Sequence, residues 1–176
     1  MRNILEILII ICLFTLTSYS RNDTLLYSQQ MEHFFSSQKQ KDIFSLTVMG
    51  KNIFDSFVTF RITSSQGKII YEDKFSMGDL MEFGSSETDK AYRRDSEDSL
   101  DIIYTLNHFF DEDMFSSPAI KDTTDMNANM EPREVWWPVY KDKTTIGFFY
   151  QLGAEDGRSI TYLKKEKKVI TYFTCC

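Results

Sequence analysis

Histidine and cysteine are scarce in this chain of 176 residues, which contains two histidines and three cysteines. A structural zinc site takes four ligands, usually from these two residue types, and the sequence has no second cysteine pair and too few histidines. It also lacks a C-x-x-C redox centre and an H-E-x-x-H metalloprotease motif. We therefore predict no cofactor.

Motifs for nucleotide chemistry and serine hydrolysis are absent as well. The sequence contains no G-x-x-x-x-G-K-[ST] phosphate loop and no G-x-S-x-G nucleophile elbow. A pair of catalytic carboxylates leaves no such trace, because its spacing is set in space rather than along the chain. A hydrolase that uses acidic residues therefore stays open as an alternative.

The chain also lacks a basic excess. Its formal net charge of −6 argues against a nucleic-acid partner, since such proteins usually carry a positive surface. The charge is uneven, because residues 87–113 contain nine acids and three bases whereas residues 158–176 contain five bases and one acid. This pattern is typical of a solvated helix face and a charged hairpin tip. The alternative is an acidic patch that meets a basic partner.

Residues 1–20 have the features of a signal peptide. Arg2 precedes an apolar stretch, Ile7 to Leu16, that is far shorter than the ~20 residues of a membrane-spanning helix. We therefore predict cleavage after Ser18 or Ser20 and no transmembrane span in the mature chain. The protein is expected to be exported, and so periplasmic, envelope-associated or secreted. A buried N-terminal helix or strand is the alternative.

The end of this segment, LTSYS, resembles the lipobox of bacterial lipoproteins. In a lipobox, a leucine and small residues precede the cysteine that carries the lipid. Tyr19 stands in the cysteine position here, and a tyrosine cannot form the thioether to diacylglycerol. The resemblance implies a bacterial envelope setting, and the departure from it implies no lipid anchor.

Hydrophobic residues (42%) and aromatic residues (15%) are abundant enough for a core. Runs rich in Val, Ile, Thr, Phe and Tyr predict β-strands, and SSQGK at 64–68 predicts a hairpin between two of them. We predict a single α+β domain over 43–176. It consists of an antiparallel sheet of about six to seven strands, in the order three strands, one helix, four strands, with the amphipathic helix packed on it. Residues 21–42 are predicted to form an N-terminal arm or short helix.

The helix is predicted to begin after Ser96 or Ser99, either of which can cap it. Its expected buried stripe has helical spacing and comprises Leu100, Ile103, Leu106 or Asn107, Phe110 and Met114. His108 and Glu112 are four residues apart and share a helix face. With a third ligand, this pair would favour the hydrolase alternative.

Four residues form the best candidate metal site, a calcium-like loop. They are Asp125, Asn127, Asn129 and Glu131. The first three alternate like the oxygen ligands at the start of an EF-hand loop. The later positions depart from that loop, because Met130 stands where glycine makes the turn and Trp136 stands where an acid is required. A solvated polar loop is the alternative.

EVWWPVY gathers Trp136, Trp137 and Tyr140 beside Pro138. Since proline cannot donate to a sheet ladder, this segment is predicted to be a strand at a sheet edge or at a bulge. Adjacent strand residues face opposite ways, so one tryptophan is expected in the core and the other outside. The three aromatic residues are candidates for binding a protein or glycan partner. Core packing is the alternative.

Cys175 and Cys176 are adjacent at the last two positions of the sequence. Removal of Cys12 with the signal peptide would leave no other cysteine to pair with them. We expect two free thiols at the end of the last strand. A vicinal or intermolecular disulfide is the alternative in an oxidising compartment.

Together these features predict a small exported protein that binds an unidentified protein or glycan partner without catalysis. It would act in the cell envelope or outside the cell, and inhibitor-like and immunity-like roles fall within this class. Two alternatives stay open. One is a hydrolase with acidic residues that the sequence does not identify, and the other is a self-assembling structural component of the envelope.

Overall fold

The computed structural model describes residues 23–81, 96–122, 132–153 and 155–175. The predicted signal peptide and its Tyr19 position lie outside these ranges. The α+β class is confirmed, but the strands divide into two antiparallel four-stranded sheets instead of a single sheet of six to seven strands.

Sheet A runs in the order β1-β2-β3-β4, and consecutive strands pair with one another. Its strands are β1 (Thr24–Phe34), β2 (Lys41–Gly50), β3 (Phe57–Thr63) and β4 (Ile69–Ser76). The predicted hairpin at 64–68 joins β3 to β4. In it, the Ser64 amide donates to the Lys68 carbonyl (2.8 Å), and Gly67 adopts a φ of 79° that favours glycine.

Sheet B has the order β5-β6-β7-β8. Its strands are β5 (Phe115–Ser116), β6 (Gly147–Leu152), β7 (Asp156–Leu163) and β8 (Lys168–Cys175). The helices in the described ranges are α1 (Met77–Met81), α2 (Ser96–Asn107) and α3 (Arg133–Lys141), with a 3-10 turn at Glu112–Met114.

The main core lies between the two sheets. On sheet A, alternate residues of β2 and β3 are fully buried, namely Phe44, Leu46, Val48, Val58, Phe60 and Ile62. This alternation is the reason that these segments form strands, because it gives the sheet one apolar face. The Phe60 ring lies 5.4 Å from Phe148 and 5.4 Å from Tyr150, both on β6 of sheet B. The sheets therefore pack face to face through aromatic rings.

Helix α2 packs into the same core, but with a different face from the one predicted. Ile102 and Leu106 are fully buried, whereas Leu100 is 68% exposed and Ile103 is 40% exposed. The helical period predicted from the sequence is correct. The predicted buried face is wrong in the first turns of α2, because Leu100 and Ile103 are as apolar as the residues that are buried.

The prediction of a short helix within 21–42 was wrong, since this segment contains β1 and the start of β2. The inner face of β1 carries polar residues that hid its strand character. Tyr27 donates to the Asn107 side chain (2.8 Å), and the Gln29 side-chain amide donates to the Asn107 carbonyl (3.2 Å). Because β1 is an edge strand, these polar groups can satisfy the end of α2 instead of entering the core.

A polar network also joins the two sheets. Asp73 on β4 accepts from the Tyr150 hydroxyl (2.8 Å) and from the Arg158 guanidinium (2.9 Å). The hydroxyls of Tyr71 and Tyr150 lie 2.6 Å apart. Burial raises the pKa of the Tyr150 hydroxyl well above its ordinary value of 10.0.

The first prediction concerns the aromatic contact between the sheets. Phe60→Ala should lower the free energy of unfolding by about 3–5 kcal/mol, because it leaves a cavity at the centre of the core. Phe57 lies on the same strand and is 44% exposed, so Phe57→Ala should cost less than about 1 kcal/mol. Urea unfolding followed by circular dichroism compares the two variants. Equal losses would contradict this account of the core.

The second prediction concerns alkaline stability. Tyr150 keeps its proton in the folded state above pH 10 whereas the unfolded chain loses it, so stability should fall as the pH rises above 10. In Tyr150→Phe, this fall should be shallower by up to about 1.4 kcal/mol per pH unit. Urea titrations between pH 8 and pH 11 measure both slopes. A variant slope identical to that of the parent would refute the assignment.

Candidate binding site

The outer face of sheet B carries a second, smaller core. Ala119, Ile120, Val139, Leu163 and Tyr172 are buried together there. Helix α3 contributes Val139, and the segment between β5 and α3 contributes Ala119 and Ile120. The inner face of sheet B therefore packs on sheet A, and its outer face is partly covered by α3 and by the segment around Ala119.

The segment predicted to be an edge strand is helix α3, and that prediction was wrong. Trp136, Val139 and Tyr140 have the i, i+3, i+4 spacing that places them on one helix face, and all three contact the second core. Pro138 cannot donate the helix hydrogen bond to the Glu134 carbonyl. Because Glu134 lies in the exposed first turn, water can replace that hydrogen bond. The helix thus tolerates the proline that had suggested a strand.

The two tryptophans have different environments. Trp136 packs against the second core, whereas Trp137 lines a groove beside the helix. Their rings are nearly perpendicular, with centroids 5.7 Å apart. Since α3 is a helix, this division results from its 100° rotation per residue and not from the alternation of a strand.

The groove has a volume of about 520 Å³ and separates α3 from the hairpin that joins β7 to β8. Its helix side comprises Trp137, Pro138, Lys141 and Asp142, and its hairpin side comprises Leu163, Lys164, Lys165 and Glu166. We call this surface the α3 groove.

Cations lie over the aromatic rings of the α3 groove. The Arg133 guanidinium carbon is 4.7 Å and the Lys141 ammonium nitrogen is 4.9 Å from the centre of the Trp137 ring. Nearby, the Lys143 ammonium nitrogen lies 3.6 Å from the centre of the Tyr140 ring, which stacks on Trp137. A ring attracts a cation through its quadrupole without cancelling the positive charge. These groups can therefore still attract an anion.

A hydrogen-bonded contact holds the two walls of the groove together. Asp142, at the end of α3, accepts from the Thr144 amide (3.0 Å) and from the Thr144 hydroxyl (2.5 Å). The hydrogen bond from that hydroxyl is the main reason that the pKa of Asp142 lies below its ordinary value. Lys164, on the hairpin, donates to the Thr144 carbonyl (3.3 Å) and lies 3.9 Å from Asp142. The groove is therefore a preformed feature.

The structure also brings several acidic residues together in one cleft. A cleft of about 610 Å³ at one end of the sheets is lined by Asp73, Asp79, Glu155 and Asp156, together with Arg158. Arg158 binds both Asp73 (2.9 Å) and Asp156 (2.6 Å), and Asp79 accepts from the Ser76 amide (2.8 Å) at the start of α1. Three of the four carboxylates thus serve structural contacts.

The predicted pair of His108 and Glu112 is not brought together. The His108 ring stacks on Tyr104, and its Nδ1 lies 2.8 Å from the Tyr104 carbonyl oxygen. Glu112 instead lies 3.5 Å from Nε2 of His33, on β1. Within the four described ranges, no three His, Cys, Asp or Glu side chains are grouped so as to hold a metal ion.

Two sets of predicted residues lie outside the described ranges or at the end of one of them. The calcium-like residues Asp125, Asn127, Asn129 and Glu131 fall outside the described ranges, as does Cys176. The backbone of Cys175 ends β8 opposite Gly157. The predictions for these residues therefore stay predictions.

The aromatic residues of the groove were predictable from the sequence, but its cations were not predicted. Arg133, Trp137 and Lys141 recur at intervals of four residues, which is a helical signal that could have grouped them. The basic excess of residues 158–176 is visible in the sequence, but nothing in the sequence places Lys164 and Lys165 beside Trp137.

The third prediction follows from the two tryptophan environments. Trp136→Ala should lower the free energy of unfolding by roughly 2–3 kcal/mol, because it removes a ring that packs against the second core. Trp137→Ala should cost less than about 1 kcal/mol, since its ring lines an open groove. Chemical denaturation of both variants tests this order. A larger loss for Trp137→Ala would reverse the assignment of the two rings.

Comparison of the chain with protein-family models, with curated proteins and with solved structures found no match. Among the helices of the described ranges, none has the length and apolar character needed to cross a membrane. The function is therefore inferred from the geometry of the groove itself.

Proposed function

We propose that this protein is a small exported binding module without catalytic activity and that its α3 groove binds an acidic partner. The observation that carries the proposal is the concentration of positive charge around half-buried aromatic rings in a chain of net charge −6. Arg133, Lys141, Lys164 and Lys165 surround the groove, against Asp142 and Glu166.

The cations and the rings would contribute differently to binding. Positive charge steers an acidic partner toward the groove and sets its orientation, so it acts mainly on the association rate. Trp137 offers the apolar area that makes an aromatic residue a frequent energetic centre of an interface. Because Asp142 and Lys164 already hold the walls in place, little ordering entropy would oppose binding.

A second candidate function is self-assembly, which one feature of sheet A favours. Leu25, Met49 and Phe57 lie directly opposite one another on β1, β2 and β3, and all three are at least one-third exposed. An apolar row on an open sheet face is a plausible contact between copies of the chain. Light scattering across a range of protein concentrations separates an assembling component from a monomeric binding module.

The fourth prediction tests the α3 groove. Both tryptophans of the chain lie on α3, so tryptophan fluorescence reports on this surface. Titration with polyglutamate should change the fluorescence, and the affinity should fall as salt is added. Heparin tests an anionic glycan in the same assay, and dextran serves as the neutral control.

Paired charge reversals provide the matched comparison. Lys141→Glu with Lys165→Glu should weaken polyglutamate binding by about tenfold or more, because the net charge around the groove changes from positive to negative. Lys51→Glu with Lys68→Glu makes the same charge change at exposed positions on sheet A loops and should have less than about a twofold effect. Equal effects of the two pairs, or no binding of either polyanion, would contradict the proposal.

A further inference from the structure

Helix α2 presents an apolar stripe to solvent. Leu100 is 68% exposed, Ile103 is 40% exposed and Tyr104 is 64% exposed, and their i, i+3, i+4 spacing places them on one face of the helix. Another face of α2 already buries Ile102 and Leu106 in the main core. The three exposed residues, which we call the α2 stripe, therefore form a second apolar surface that the core does not use.

Neighbouring contacts hold the α2 stripe in a fixed orientation. The Tyr104 ring stacks on the ring of His108, one helical turn further on, with centroids 3.9 Å apart. Asn107, the last residue of α2, accepts a hydrogen bond from Tyr27 through its side chain and another from Gln29 through its carbonyl. Because these contacts order the exposed residues in advance, little conformational entropy would be lost when a partner covers them.

The α2 stripe lies in an acidic part of the chain. Residues 96–113 contain six acids and no lysine or arginine. Asp101 on α2 and Asp113 shortly after it are both exposed. The α3 groove has the opposite charge, and its half-buried Trp137 offers an apolar surface between the cations. The stripe and the groove are therefore complementary both in charge and in apolar character.

The stripe and the groove of one chain do not meet. Helix α2 packs through Ile102 and Leu106 into the core on the inner side of sheet B. Helix α3 packs through Val139 on the outer side of the same sheet. Because sheet B separates the two helices, a contact between the α2 stripe and the α3 groove requires two copies of the chain.

We infer that the acidic partner of the α3 groove is a second copy of this chain, whose α2 stripe lies in the groove. This inference rests on the proposed function and names the partner. An amphipathic helix in a groove is a common recognition mode, in which residues at i, i+3 and i+4 anchor the contact. Leu100, Ile103 and Tyr104 are these anchors, and the acids of the same segment meet the lysines of the groove.

The contact is heterologous, because the stripe of one copy meets a different surface on the next copy. When two copies join through one such contact, one groove and one stripe stay open for further copies. Association should therefore increase with protein concentration. It should weaken as salt is added, because charge complementarity contributes to the contact.

The fifth prediction compares two double variants by sedimentation velocity. Leu100→Gln with Tyr104→Gln, the stripe variant, should weaken self-association by about tenfold or more, because a few central anchors carry most of the affinity of an interface. Glutamine has a helix propensity close to that of leucine, so α2 should stay folded, which circular dichroism checks.

The matched control changes the exposed apolar row of sheet A. Leu25→Gln with Phe57→Gln makes a comparable change from apolar to polar and should alter self-association by less than about twofold, because these residues lie outside the contact. If this control abolishes association and the stripe variant does not, the copies join through sheet A and the inference is overturned.

A mixture of two variants tests the contact directly. The groove variant, Lys141→Glu with Lys165→Glu, should be as monomeric as the stripe variant when each is alone. In an equimolar mixture, the intact groove of the stripe variant meets the intact stripe of the groove variant, so one contact is restored. The mixture should form heterodimers and no larger species. A mixture that stays monomeric would overturn the inference.

Polyglutamate separates the failure of this inference from the failure of the proposed function. The stripe variant keeps its α3 groove and should bind polyglutamate at least as tightly as the parent, because no second copy competes for the groove. If it does so while the parent stays monomeric up to about 1 mM, only this inference fails. If the parent neither binds polyglutamate nor associates, both proposals fail.

Discussion

The aromatic contact between the two sheets is the interaction on which the rest of the structure depends. Sheet A buries a single apolar face against the inner face of sheet B and against α2 and the turn that follows it. Phe60 occupies the centre, with Phe148 and Tyr150 opposite it and Phe110 of the segment after α2 at its edge. An isolated four-stranded sheet would leave these rings in water, so neither sheet is expected to fold without the other.

This contact also decides where a binding surface can form. Sheet B uses its inner face against sheet A, and its outer face is covered only in part, by α3 and by the segment around Ala119. The α3 groove lies where this cover ends. The charged cleft around Arg158 lies instead where the two sheets meet, and its groups tie the sheets together.

Local sequence patterns predicted those elements whose side chains alternate or repeat clearly. Strands β2 and β3 were predictable because apolar residues occupy every second position from Phe44 to Val48 and from Val58 to Ile62, and these are buried. Strand β1 was not, because Gln29 on its inner face contacts the end of α2 and breaks the apolar pattern. Helix α3 was mistaken for a strand because bulky aromatic residues and Pro138 are both compatible with an edge strand, and nine residues are too few for the helical period to dominate.

The candidate sites depend on register and on distant contacts, which spacing along the chain cannot supply. Trp137 and Lys141 are near neighbours, but Lys164 reaches them only because β7 turns back toward α3 after 22 intervening residues. Residues on one helix can be grouped from their spacing, but a surface shared by a helix and a distant hairpin has no signature in the sequence, so the groove could be recognised only after the strands were paired.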